Sequence, residues 1–390
     1  MIARSLEAKA LEMASKFPIV SITGPRQSGK STLVKAAFPS YRYVNLEDED
    51  MRAFAVDDPR SFLQMYPAGT IIDEAQRAPS LFSYLQGAVD STDRPGQYII
   101  SGSQNFLLLE SISQSLAGRV AILNLLPLSH DELDRAGMPP KTLNSWMYAG
   151  GYPRIYAHAI DPADFYPSYI QTYLERDVRQ TLGVQKLAEF ERFLTLCASR
   201  TGGMLNKEGL SRDCSVTVKT IEHWLSVLEA SFIALRLQPY YRNFGKRLVK
   251  APKLYLCDTG LACNLLGVEH ADELATSPLR GALFETAVVS EIQKAALSRG
   301  RQLKLYYWRD AGKQEADLVI EKGSQPWRII EIKSSATYHP KFFANITGLG
   351  ELMGIPAQRR YVVYAGDRSF ETSRGAVITP RDIASTLEYS

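Results

Sequence analysis

The stretch Gly24-Pro25-Arg26-Gln27-Ser28-Gly29-Lys30-Ser31-Thr32 constrains this chain more than any other. It fits G-x-x-x-x-G-K-[ST], a glycine-rich turn whose backbone cradles phosphate groups. The pattern carries meaning only between a strand and a helix, and both are readable here. Residues 17–23 (FPIVSIT) form an apolar run of strand length, and residues 32–37 (TLVKAA) open a helical stretch. Backbone N–H groups then point into the turn, and the helix N-terminus adds partial positive charge. The pattern places Lys30 at the β- and γ-phosphates of a nucleotide and Ser31 on Mg2+; residues 24–32 together are the candidate nucleotide-binding set.

At 390 residues the chain is too long for one core, and two to four domains are expected. No apolar run reaches the roughly 18 residues that span a bilayer. The N-terminus carries Glu7 and Glu12 and has no signal-peptide core, so a cytoplasmic location is expected. Cys197, Cys214, Cys257 and Cys263 form no C-x-x-C pair and no zinc spacing, which points to buried thiols rather than a metal site. His130, His158, His223, His270 and His339 form no cluster either.

Residues 17 to about 128 alternate apolar runs with helical stretches, the pattern of a parallel α/β sheet. Further strands are predicted at 41–46, 69–74, 97–103 and 120–125. From 129 to 190 the pattern is helical, broken at Gly150-Gly151-Tyr152-Pro153. After Pro278 it returns to mixed α/β.

The third strand ends in Asp73-Glu74, an acidic pair expected at the carboxyl edge of the sheet beside the phosphate loop. Asp73 is suited to hold Mg2+ through water, and Glu74 to polarise the attacking water. Ser103 and Gln104, after the fourth strand, are candidates for sensing the γ-phosphate. Arg119, just before the fifth strand, is placed to reach a neighbouring subunit's nucleotide and stabilise charge on the transferring phosphoryl group.

With these residues in view, the chain resembles AAA+ ATPases of the bacterial and archaeal family that join this core to a C-terminal domain of unknown function. The matching pieces are Gly24 to Thr32, Ile71-Ile72-Asp73-Glu74-Ala75-Gln76, Ser101-Gly102-Ser103, Leu116-Ala117-Gly118-Arg119, Gly150-Gly151-Tyr152-Pro153 and Glu175-Arg176-Asp177-Val178. The resemblance implies an α/β fold: a parallel-sheet P-loop core (1–130), a helical lid (131–190), a winged-helix domain (191–270) and a restriction-endonuclease-like domain (271–390). It also implies assembly into a ring or partial ring, a hexamer first of all, with Arg119 acting in trans. Arg176 is implied as a second, lid-side arginine near the nucleotide.

The middle of the chain carries its own signal. Residues 210–212 and 217–230 read as two helices across a short turn, with Ile221, Trp224, Leu225 and Leu228 on one face. A strand, a basic stretch and a second strand at 253–256 follow, which is winged-helix logic. Residues 191–262 hold 11 Lys/Arg against 6 Asp/Glu, and residues 240–253 hold five basic residues, three aromatics and no acid. Such a wing is suited to DNA phosphates, with rings to stack on bases.

Near the C-terminus, residues 314–320 (QEADLVI) and 328–333 (RIIEIK) read as a hairpin turning at Gly323-Ser324. Alternation puts Glu331 and Lys333 on one face, and pairing brings Asp317 to the same end. Glu285, on the preceding helix, adds a third carboxylate. Carboxylates beside a lysine suit a Mg2+ or Mn2+ site with a water-activating or phosphate-binding amine. The arrangement is similar to the PD-(D/E)xK nuclease core, except that Ala316 stands where a proline is usual. Tyr306-Tyr307-Trp308 is expected to build the sheet of this last domain.

The expectation is an ATP-hydrolysing, DNA-binding or DNA-remodelling protein whose last domain binds the phosphodiester backbone and in one reading cuts it. Two alternatives compete with it. One is a nucleotide-controlled switch or protein-binding module with an inactive nuclease-like domain. The other is a DNA-binding scaffold that merely holds nucleotide.

Overall fold

The computed structural model describes residues 2–92, 94–103, 115–174, 187–240, 251–312 and 314–387. Gln104, Arg176 and residues 241–250 of the expected wing lie outside the described residues. The chain packs as two units. The first holds residues 1–128 with 230–232 and 297–301; the second holds 129–229, 233–296 and 302–390.

The first unit is built on five parallel strands: β1 (Ile19–Thr23), β2 (Arg42–Asn45), β3 (Thr70–Asp73), β4 (Tyr98–Gly102) and β5 (Val120–Asn124). β1, β3 and β4 are buried at every position, as strands covered on both faces must be. Successive residues divide between two cores. Ile19, Ile72 and Ile100 pack with Phe62, Leu81, Phe82 and Leu85. Val20, Ile22, Ile71 and Ile99 pack with Leu6, Ala10, Leu33 and Val34 on the other face. Each fully buried Leu, Ile or Phe of this kind contributes roughly 1.5–3 kcal/mol.

The strand order is β2-β3-β4-β1-β5, so β4 lies between the strand that feeds the phosphate loop and the strand that ends in the acidic pair. The chain leaves β1 toward one side of the sheet and later crosses to β5 on the other, which makes the carboxyl end of β1 a switch point where ligands bind.

The second unit is built on a nine-stranded sheet, ordered β13-β14-β12-β11-β10-β9-β7-β8-β6. Its strands are β6 (Gly203–Met204), β7 (Ala234–Pro239), β8 (Lys253–Leu256), β9 (Lys304–Arg309), β10 (Glu315–Lys322), β11 (Gln325–Lys333), β12 (Arg360–Tyr364), β13 (Phe370–Thr372) and β14 (Gly375–Ile378). The two expected middle helices form at Lys207–Asp213 and Val218–Ala230, with Ile221, Trp224, Leu225 and Leu228 buried. β6, β8 and β7 pair antiparallel beside them. β7 also pairs with β9 in parallel, so this segment and the C-terminal strands share one sheet. One apolar core runs from Trp146 to Leu387. The β7–β9 pairing thus joins residues far apart in sequence.

The Gly150-Gly151-Tyr152-Pro153 break is a joint. Asp258 Oδ2 accepts the Gly151 N–H at 2.8 Å, and its Oδ1 accepts the Tyr166 hydroxyl at 2.7 Å. A Cβ on Gly150 would meet Tyr166 Oη at 2.2 Å and Asp258 Oδ1 at 2.3 Å, so only glycine fits. All four cysteines are free and buried. Among the described residues no helix is long and apolar enough to cross a membrane.

Candidate functional site

The phosphate loop leaves β1 at Gly24 and enters the helix Lys30–Ala37 directly after Gly29. Gly24 passes so close to the segment after β5 that a Cβ would lie 2.1 Å from the Leu125 carbonyl oxygen. The N–H groups of a helix's first turn have no partner within the helix and are the donors an anion needs. Lys30 is buried, its Nζ donating to the carbonyls of Gly24 at 3.1 Å and Pro25 at 2.8 Å. Arg4 braces the loop, donating to the carbonyls of Ser28 and Leu126 at 2.6 Å each.

Asp73, at the end of β3, is the centre of a hydroxyl cage. Its Oδ2 accepts from Ser31 Oγ at 2.5 Å and Tyr43 Oη at 2.7 Å. Its Oδ1 accepts from Ser101 Oγ at 2.5 Å and from the Glu74 N–H at 3.1 Å. Burial pushes the carboxyl upward, but Ser101, Ser31 and Tyr43, with the nearby Lys30 charge, hold it below the ordinary aspartate range. The site therefore keeps an ionised carboxylate next to the Ser31 hydroxyl. Hard oxygen donors in that arrangement suit Mg2+.

Glu74 follows with φ +54. This left-handed conformation costs a glutamate roughly 1–2 kcal/mol. Its Oε2 accepts from Gln76 Nε2 at 2.5 Å and Ser103 Oγ at 3.1 Å. Strain held by such a lattice is characteristic of functional positions. Hydrogen bonds thus link Ser31, Asp73, Glu74 and Ser103 across three neighbouring strands, with Lys30 next to Ser31 in the loop.

Arg119 lies elsewhere. Val120, at the start of β5, pairs with Ile19, at the start of β1, so Arg119 sits at the edge opposite the phosphate loop. A five-residue strand separates the two edges by about 17 Å. Its guanidinium is bound to Asp90 through Nε (2.5 Å) and Nη2 (2.9 Å), at the end of the helix Leu81–Asp90.

The second constellation is in the other unit. The β10–β11 hairpin turns at Gly323 and Ser324, and its register brings Asp317 level with Glu331. Lys333 Nζ lies 2.6 Å from Glu331 Oε1. The unforeseen member is Lys253, the first residue of β8 and only 4% exposed. Its Nζ is 2.9 Å from Glu285 Oε1, 2.6 Å from Glu315 Oε1 and 3.9 Å from Asp317 Oδ1. Tyr255 Oη donates to Glu285 Oε1 at 2.5 Å, and the Ile332 N–H donates to Asp317 Oδ2 at 2.7 Å. Burial, with the charges of Glu285 and Glu331, pushes the Asp317 carboxyl well above the usual range; burial also raises Glu331, against the opposing Lys333. Lys333 moves up, its burial outweighed by Glu331 and Asp317.

The sequence reading gives Glu285, Asp317 and Glu331 to a metal. Among the described residues no group of three or more His, Cys, Asp or Glu side chains is arranged to hold one. It also counts Tyr240 and Lys253 in a phosphate-contacting wing. Both are buried, so neither is on such a surface. Arg4, Tyr43, Glu315 and the true place of Lys253 escaped that reading, and Ser101 and Gln76 appeared in it only as parts of matching pieces, without a role. One signal was present for Lys253: it opens the otherwise apolar strand KLYL.

The first unit has an ATPase-like P-loop fold. Residues 16–134 match the family model described as AAA domain. Residues 140–272 and 280–383 match two domains of unknown function, DUF8612 and DUF4143. The chain belongs to the same family as two uncharacterized mycobacterial proteins, Mb2031c of Mycobacterium bovis and Rv2008c of Mycobacterium tuberculosis. Each is 32% identical over 382 residues, covering 97% of this chain and 83% of the relative. Among solved structures, the Walker-type ATPase PABY2304 of Pyrococcus abyssi aligns over 68% of this chain and 96% of its own, at 14% identity and a TM-score of 0.46. AMPPCP-bound DnaA from Aquifex aeolicus aligns over 58% of this chain and 86% of its own, at 15% identity and a TM-score of 0.31. Both likenesses are too loose to bear on function.

Proposed function

We propose that this chain binds and hydrolyses ATP and uses the cycle to bind or remodel DNA as a self-associated ring or partial ring, a hexamer first of all. One observation carries the ATPase reading: Asp73 is bonded to Ser31 of the phosphate loop and to Ser101 of β4, with Glu74 beside it. Ser31 and Asp73 would hold Mg2+, which supplies charge neutralisation on the phosphates. Lys30 turns from its own loop carbonyls to the β- and γ-phosphates. Glu74, oriented by Gln76 and Ser103, polarises the water in line with the γ-phosphate.

Arg119, on the far edge of its own sheet, serves the nucleotide of the next subunit, where an arginine stabilises charge on the transferring group. Arg176 is proposed as the lid-side arginine of the same cycle. The DNA reading is supported by the excess of basic residues in 191–262 and by the helix pair with the three antiparallel strands β6, β8 and β7 at one end of the larger sheet. For the C-terminal, restriction-endonuclease-like domain, the Lys253 ammonium favours a binding module over a cutting one. A protein in place of DNA as the bound partner is the competing reading.

The test is ATP turnover measured without DNA and with single-stranded, duplex and branched DNA. Stimulation by one DNA form, with turnover abolished in Lys30→Ala, supports the proposal. Turnover indifferent to every DNA form favours the nucleotide-controlled switch. Turnover untouched by Lys30→Ala overturns the ATPase reading.

A further inference from the structure

We infer that Lys253 is a built-in cation that takes the place of a divalent metal in the carboxylate cluster of Glu285, Glu315, Asp317 and Glu331, so that the C-terminal site of this chain is closed to Mg2+ and Mn2+. The inference rests on reading residues 285–333 as a nuclease-type carboxylate site, and it says what became of that site.

Four features support it. First, the ammonium stands where an ion would have to stand. Its Nζ is within 2.9 Å of Glu285 and Glu315 and 3.9 Å from Asp317, which lie on two elements, the helix Arg280–Leu297 and β10. Mg2+ binds its oxygens at about 2.0–2.1 Å, so an ion on these carboxylates would lie against a positive charge. Second, Lys253 is anchored on a strand. β8 pairs with β7 on one side and β6 on the other, so the lysine has no free loop on which to swing aside.

Third, three of the cluster's oxygens already have other partners. Glu285 Oε1 also takes the Tyr255 hydroxyl, Asp317 Oδ2 takes the Ile332 N–H, and Glu331 Oε1 takes Lys333, while Glu331 Oε2 is buried without a hydrogen-bond partner among the described residues. Fourth, two more cations flank the cluster: Lys333 Nζ lies 2.6 Å from Glu331 and Arg309 Nη1 lies 3.4 Å from Glu315. A divalent ion would bring two further positive charges to carboxylates already paired with three basic side chains.

Mn2+ uptake by the intact chain, followed by the loss of the free-ion paramagnetic resonance signal, decides the matter. The background is Asp73→Asn without nucleotide, which takes the carboxylate beside the phosphate loop out of the measurement. The expected result is no uptake at millimolar Mn2+ with Lys253 in place. One ion is then expected at sub-millimolar concentration in Lys253→Ala, lost again when Glu331→Gln is added. Uptake by the Lys253 protein that Glu331→Gln removes would overturn the inference while upholding a metal site there. No uptake by a folded Lys253→Ala protein would overturn the inference and the nuclease-type reading beneath it. If Lys253→Ala does not fold, Lys253→Met, which keeps most of the side-chain volume, takes its place, and the Lys253 protein alone still tests the first result.

Discussion

Asp73 is buried and Asp317 nearly so; both lie on strands close to a lysine, and their surroundings push the two carboxyls in opposite directions. Around Asp73 the neighbours are hydroxyls, from Ser31, Tyr43 and Ser101, with one backbone N–H. Around Asp317 they are other carboxylates and the fixed ammonium of Lys253. Hydroxyls stabilise the ionised carboxylate, yet each can turn its oxygen to a cation when one arrives. An ammonium has only donors and cannot become a ligand. On the proposed reading, the first arrangement takes a metal and a substrate, whereas the second carries its own cation.

The contrast is broken most severely at the phosphate loop. Lys30→Ala should reduce ATP hydrolysis to background, read by phosphate release. Arg119→Ala should lower kcat about 10³-fold while nucleotide affinity, read by calorimetry, stays within a few-fold. A loss of affinity equal to the loss of rate would place Arg119 in its own subunit's site. Glu74→Gln should lower kcat about 10²-fold with bound ATP retained. Retention of full turnover would remove Glu74 from the water-polarising role.

The smallest effects concern stability against pH. A carboxyl held below its ordinary range, as Asp73 is, adds stability above that range and loses it as pH falls through the folded value. A carboxyl held above, as Asp317 is, does the reverse: stability declines as pH rises from the ordinary range toward the folded value. Asp317→Asn should therefore gain about 1 kcal/mol on the parent at neutral pH and lose that advantage in acid, measured by denaturant unfolding. Asp73→Asn should show the opposite trend. Identical pH profiles for the two variants would erase the distinction drawn here.

How much of this was legible in the sequence differs between the units for a physical reason. Phosphate loop, acidic pair and strands of the first unit are local patterns, each a few residues long and decided by its neighbours in the chain. Residues 17–23, 69–74 and 97–103 read as strands because parallel strands buried on both faces are continuous apolar runs. The bracing by Arg4 was hidden because it joins residues 4, 28 and 126. In the second unit the hairpin and its Gly323-Ser324 turn were readable for the same local reason. Lys253 was misplaced because basic residues nearby suggested a surface, whereas its partners lie 32 to 64 positions further on. Pairings of that span leave no periodic trace.

The shared sheet of the second unit has a practical consequence for anyone dissecting this protein. Removing everything beyond residue 270 would strip β7 of β9 and leave raw strand edge exposed, the kind of surface that recruits other chains into aggregates. It would also take away Glu285, Glu315 and Asp317, stranding Lys253 as a lone positive charge among apolar neighbours. A fragment ending near Leu128 keeps all five parallel strands together and is the better piece to express alone.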